Sequence, residues 1–330
     1  MAVYTTINDP GAYFNTVLYT GTGSSLAITG VGFQPDLVWT KSRSNTYNNQ
    51  LYDATRGVEE RLQSNDTSAE TTQANGLTAF DSDGFTVGDA SGTGVSSATY
   101  ASWNWKETAD AGFDIVAYTG TGSAHTVSHN LSAVPQMIII KNRSTVKTWQ
   151  VGHESMGWEN GIYLNESSAS QSDNGAFDST TPTTSVFTIE TSSYVNTSGD
   201  DYITYLWTGK QGFSKLGSYI GNGSADGPFT YLGFRPAFVL LKNSERAEAW
   251  WLYDNKRDPH NLTSHALRPD VATAEVNYTA GDEMNIDMLS NGFKVTSSDG
   301  AFNYSGEKII YAAFAEAPLV NAEGVPCNAR

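Results

Sequence analysis

Three short apolar runs recur along the chain, each opened by a proline and closed by a lysine: PDLVWTK at 35–41, PQMIIIK at 135–141 and PAFVLLK at 236–242. MIIIK and FVLLK show no polar alternation, which predicts central strands covered on both faces. Upstream lie FNTVLYTGTG, FDIVAYTGTG and FSKLGSYIGNG, aligned on Phe14, Phe113 and Phe213, each followed by a second short strand, LAIT, HTVS or FTYL. Downstream, after a polar turn, come NQLYD, WQVGH and WWLYD with Asp53, His153 and Asp254 in register, then DGFTVG, SVFTIE and NGFKVT aligned on Phe85, Phe187 and Phe293. Each unit closes on an aromatic-rich strand: YASWNWKE, YITYLWTGK or IIYAAFAEA. Strands alternate with period two, so Leu51, Val151 and Leu252 mark the core side of the WQV-type strand, together with Trp149 and Trp250.

These anchors define an internal repeat of roughly 100 residues, the size of a small domain rather than of a solenoid unit. Short strand signals separated by Gly, Asn, Asp and Ser turns predict an all-β chain of three tandem β-sandwich, jelly-roll-like domains. The expected boundaries are 1–110 with a short N-terminal arm that docks on a neighbour, 111–212, and 213–330 with a C-terminal tail. In this frame the Gly pair of YTGTG supplies positive φ in a hairpin turn, because a strand follows it and not the helix of a phosphate loop.

Composition narrows the function. The 330 residues hold 19 Lys and Arg against 35 Asp and Glu, a net charge of −16. No basic stripe is present, and phosphate repels such a chain, so nucleic acid is not an expected partner. No run is long and apolar enough to span a membrane. The opening segment lacks the basic and apolar regions of a signal peptide, so none is expected. Cys327, the single cysteine, can form no internal disulfide and is read as a frayed tail residue.

No catalytic constellation emerges from spacing. Asp81-Ser82-Asp83-Gly84 begins like a calcium loop but lacks its remaining ligands, which predicts a tight turn, although calcium on other surface carboxylates stays open. His125, His129, His153, His260 and His265 form no metal-ligand pattern, so no metal and no cofactor is expected. The Asp-x-x-Arg elements DATR at 53–56 and DNKR at 254–257 are expected to be ion pairs or turn caps. The third unit differs from its siblings. Trp251 takes the outward parity where they carry Gln50 and Gln150, and it is followed by RDPHNLTSHALRPD. Tryptophan with arginine is common hot-spot chemistry. Trp251, Arg257, His260, His265 and Arg268 are therefore the expected interface or ligand-binding residues.

FQPDLVWTKSRS with LYDATRGVEERLQSNDTSAE, GLTAFDSDGFTVG and YASWNWKE resembles modules of structural proteins of tailed, particularly marine, bacteriophages. VSHNLSAVPQMIIIKNRS and SYIGNGSADGPFTYLGFRPAFVLLKNS resemble the same modules, and together the likeness covers about residues 13–318. It implies a virion component, a fibre, head decoration or tail appendage, without catalytic residues to carry over. Many such modules have cysteine between the two tryptophans of the closing strand, where this chain has Asn104. The expected function is particle assembly and host-surface adhesion, with other virion proteins and a host glycan as partners and a homotrimer as the default assembly. A polysaccharide-degrading appendage enzyme and a carbohydrate-binding module are the alternative readings.

Overall fold

In the computed structural model, residues 5–172, 175–177, 179–278 and 284–327 are described. Nearly all regular structure is β, in antiparallel sheets. The three repeats each form one large and one small sheet. In repeat one the large sheet runs in the order Phe14–Thr20, Thr99–Trp105, Leu37–Ser42, Gln50–Asp53, Glu60–Gln63 and Thr71–Thr72, and the small sheet is Leu26–Thr29, Gly84–Val87 and Leu77–Asp81. Repeat two repeats the large order, starting from Phe113–Thr119 and Asp201–Trp207. Repeat three has Ser214–Ile220, Lys308–Pro318, Phe234–Asn243 and Trp250–Asp254.

The apolar runs are the central strands. Met137–Asn142 is buried at every position, between Asp201–Trp207 and Gln150–His153. Both faces are covered because each large sheet serves two cores. One face packs on the small sheet of its own repeat, around Phe85, Phe187 or Phe293. The other faces a core common to all three repeats, in which Trp105, Trp207, Phe238 and Phe314 meet edge to face. Leu51, Val151, Leu252, Trp149 and Trp250 lie in this common core, as their parity predicts.

The repeats close into a ring. Trp149 Nε1 in repeat two donates to Gln63 O of repeat one (2.8 Å), Trp250 Nε1 in repeat three to Tyr163 O of repeat two (2.9 Å), and Asn49 Nδ2 in repeat one to Val271 O of repeat three (3.0 Å). The closing lysines follow the same order: Lys141 Nζ reaches Thr67 O (3.1 Å), Lys242 Nζ Ser167 O (3.4 Å) and Lys41 Nζ Ala272 O (2.9 Å). Burial draws each of these lysines down to about 8, while the carbonyls around them favour the ammonium form.

Two expectations are corrected. The glycines of YTGTG have different jobs. Gly23, Gly122 and Gly223 do take positive φ, but a Cβ on Gly21, Gly120 or Gly221 would stand 2.2–2.3 Å from a backbone oxygen, so the first glycine is there for close approach. The N-terminal segment is not a free arm over its described part. Thr5 and Pro10 are buried, and Ile7 enters the common core. Residues 1–4 lie outside the described residues.

Candidate functional site

The expected interface around Trp251 is internal. Trp251 does sit on the face opposite Trp250, but that face is covered too. It is 5 % exposed and packs in repeat three's own core against Tyr278 and Phe302, with Arg268 over its ring at 5.4 Å. Gln50 and Gln150 are buried at the same position. Trp251→Gln is therefore expected to cost about 3 kcal/mol, because the smaller side chain leaves a cavity in a core built for indole. Urea denaturation of the variant checks this.

The other expected residues are spread over a seam. The Arg257 side chain is fully buried. It pairs with Asp254 (2.5 Å) and Glu275 (3.1 Å) and donates to the carbonyls of His265 and Leu252. His265 Nδ1 contacts Asp258 (2.5 Å), which also caps the backbone N–H groups of Ser264 and His265. Arg268 bonds Asp270 (3.1 Å). His260 is exposed. The loop does make an interface, but its partner is repeat one: Asn49 reaches the carbonyl of Arg268 (3.2 Å), and Ser64 reaches that of Pro269 (2.7 Å).

Both Asp-x-x-Arg elements are ion pairs, and each anchors a longer chain of charges. In one seam Asp53, Arg56, Glu70 and Arg143 follow one another at 2.5, 2.9 and 2.7 Å. In another, Asp254, Arg257, Glu275 and Arg43 do so at 2.5, 3.1 and 2.7 Å. A neighbouring repeat seals each carboxylate: Tyr205 donates to Asp53 (2.7 Å) and Trp103 Nε1 to Asp254 (3.0 Å). In the third seam His153 stands at that position, and its Nε2 meets Tyr311 O at 3.3 Å. Ser155 N donates to Nδ1, so Nε2 carries the proton. Burial, opposed by the Tyr311 carbonyl, holds His153 down at about 4 from 6.5. The unfolded chain takes up that proton below about 6.5, and the folded chain resists it until about 4. Stability is therefore expected to fall as pH drops through this window. A series of Tm against pH, flattened in His153→Gln, checks it.

Glu107 is the carboxyl most altered in the acid–base range. Burial, and then a hydrogen bond with Asp114, push it up to about 7. It also accepts from Ile115 N (3.3 Å), while Asp114 accepts from Asn130 N (2.5 Å). A glycosidase needs its two carboxyls on either side of a bond, about 5–10 Å apart. These two bond each other at the junction of repeats one and two. Among the described residues no cluster of His, Cys, Asp or Glu has the makings of a metal site. Asp83 of the DSDG turn is occupied by the backbone N–H groups of Gly30 and Gly32.

Exposed aromatic chemistry lies elsewhere in repeat three. Its small sheet pairs Thr230 with Phe293, as Ile28 pairs with Phe85 and Val127 with Phe187. Phe229 and Tyr231 therefore take the places of Ala27 and Thr29, and of Thr126 and Ser128. The two residues are 46 % and 54 % exposed. Phe229 stands beside Lys294 and then Asp287, and Tyr231 beside Gly292 and then Leu289. Lys294 pairs with Asp226. Lys215 Nζ donates to Tyr231 O (2.7 Å) and lies 5.8 Å from its ring centre. A cleft of about 120 Å³ adjoins Tyr231, lined also by Gln211, Leu232, Gly233, Leu319 and Val320.

A family model described as a domain of unknown function (DUF7483) matches residues 9–318. The chain belongs to this family. The DUF7483 match spans all three repeats and both charged seams, so the ring of repeats as a whole is the family's unit. No match is found among curated proteins.

Proposed function

We propose that this DUF7483 protein is a non-catalytic structural component of a tailed-bacteriophage virion, a fibre, head decoration or tail appendage, acting in particle assembly and adhesion to the host surface. The observation that carries the reading is where the altered ionisable groups go. Lys41, Lys141, Lys242 and His153 bond across repeats, Arg56 and Arg257 anchor the charge chains that cross the seams to Arg143 and Arg43, and Glu107 is tied to Asp114. Groups tuned for chemistry cluster at clefts, whereas these stiffen a scaffold. The likeness of the sequence modules to phage structural proteins supplies the setting.

Each repeat is read as a jelly-roll-like sandwich, since its first and last strands pair in one sheet while its second strand pairs across in the other. One chain closes three repeats about a common core, which is the symmetry a homotrimeric fibre has across three chains. A homotrimer remains the default assembly in this reading. Mass spectrometry of purified particles of a phage encoding the protein tests the assignment. A stoichiometric presence in washed particles is expected, together with no depolymerisation of host capsule. Absence from the particles overturns it.

A further inference from the structure

The three repeats present one scaffold three times, so differences on their surfaces are informative. On the outer face of the small sheet, repeats one and two carry Ala27, Thr29, Thr126 and Ser128. Repeat three carries Phe229 and Tyr231, each about half exposed. Nothing in the fold requires aromatic rings there, because the siblings close the same sheet without them. We infer that the outer face of repeat three's small sheet is a carbohydrate-binding platform on which neutral sugar rings stack against Phe229 and Tyr231. This rests on the adhesion part of the function proposed above, and not on the particle assignment.

Three observations favour a sugar chain. Residues two apart on a strand share a face and lie about 6.5–7 Å apart, which sets the rings under neighbouring sugars of one chain. The rings are flanked by Lys294, Asp226 and Asp287, whose charged groups hydrogen-bond to hydroxyls while the C–H face of the sugar covers the aromatic ring. The apolar area is also small. Two half-exposed rings offer on the order of 200 Å², against about 800 Å² per partner in a stable protein interface. The net charge of −16 disfavours an acidic polysaccharide at long range.

The test is an array of neutral and acidic bacterial surface oligosaccharides probed with the full-length protein. The strongest binder is then titrated against the wild type, Phe229→Ala, Tyr231→Thr, the double variant and Val146→Ala. The first two substitutions install the residues of repeat one, so melting is expected to be unchanged. Val146 is an exposed apolar residue of repeat two and serves as the control. Neutral oligosaccharides are expected to bind, with Kd raised on the order of tenfold by loss of either ring and binding lost without both. No binding, binding of acidic sugars alone, or unchanged binding by the double variant overturns the inference. So does concentration-dependent self-association, by sedimentation, that disappears in the double variant without any sugar binding, because the face then joins copies of the chain. Sugar binding by a protein absent from particles removes the particle assignment and leaves the platform. The reverse result removes the platform alone.

Discussion

Arg56→Ala is expected to cost about 3–5 kcal/mol, the penalty for stranding buried charge. The Arg56 side chain is wholly buried. It holds Asp53 (2.5 Å), Glu70 (2.9 Å) and the carbonyls of Glu60 (2.9 Å) and Leu51 (3.0 Å). Its loss leaves the Asp53 carboxylate in the interior with only the Tyr205 hydroxyl and the Arg56 backbone N–H. Glu70 keeps Arg143, so the seam between repeats one and two is weakened and not abolished. Arg61→Ala is the comparison, since that side chain bonds Gln73 and Thr71 near the surface. A loss within about 1 kcal/mol is expected there. Urea unfolding of both variants reads the difference, and equal losses refute the account of the seam.

Trp105→Ala is expected to cost about as much, roughly 3–5 kcal/mol. Trp105 lies where the repeats meet. Its ring centre is 4.9 Å from that of Phe14, 5.6 Å from Phe238 and Phe314, and 6.2 Å from Trp207. A void of about 20 Å³ already lies among these groups, so truncation enlarges a cavity whose walls are pinned by three sheets. Trp105→Phe should cost far less, about 1.5 kcal/mol or under. Phe314 fills the matching position in repeat three, and the Trp105 indole N–H has no acceptor among the described residues. Thermal unfolding of the two variants separates the cavity cost from the loss of the indole N–H.

Much of this fold is legible in the sequence, and the limits have physical causes. The repeat shows because each copy needs the same inward residues: Leu51, Val151 and Leu252 all land in the common core. Period two assigns a side chain to a face, but it does not say whether that face is covered. Parity therefore puts Trp251 on the correct side of its strand but does not reveal that this side is buried, since a large sheet here has two cores. The contacts that close the ring join residues far apart in sequence, such as Asp53 with Tyr205 and Trp103 with Asp254, and no local pattern records them. A slip of one residue hides the exposed rings from a direct alignment. Setting FTYL against LAIT makes Tyr231 equivalent to Ile28, a core position, whereas pairing through Phe293 and Phe85 makes it equivalent to Thr29. A one-residue slip turns every side chain of a strand to the other face. The signal was present in the third copy, which carries aromatic residues where its siblings carry alanine and hydroxyls.

The central claim is that the repeats stand or fall together, held by one core and three seams, so that repeat three displays its outer face on a rigid body. Amide hydrogen exchange of the full chain, read by mass spectrometry in the wild type and Arg56→Ala, tests it most directly. Buried strands report from each repeat: Leu37–Ser42, Met137–Asn142 and Phe234–Asn243. The account predicts that a substitution in repeat one lowers the protection of all three strands by a similar factor, because they open in one cooperative event. Loss of protection confined to Leu37–Ser42, with the other two strands unchanged, would contradict it.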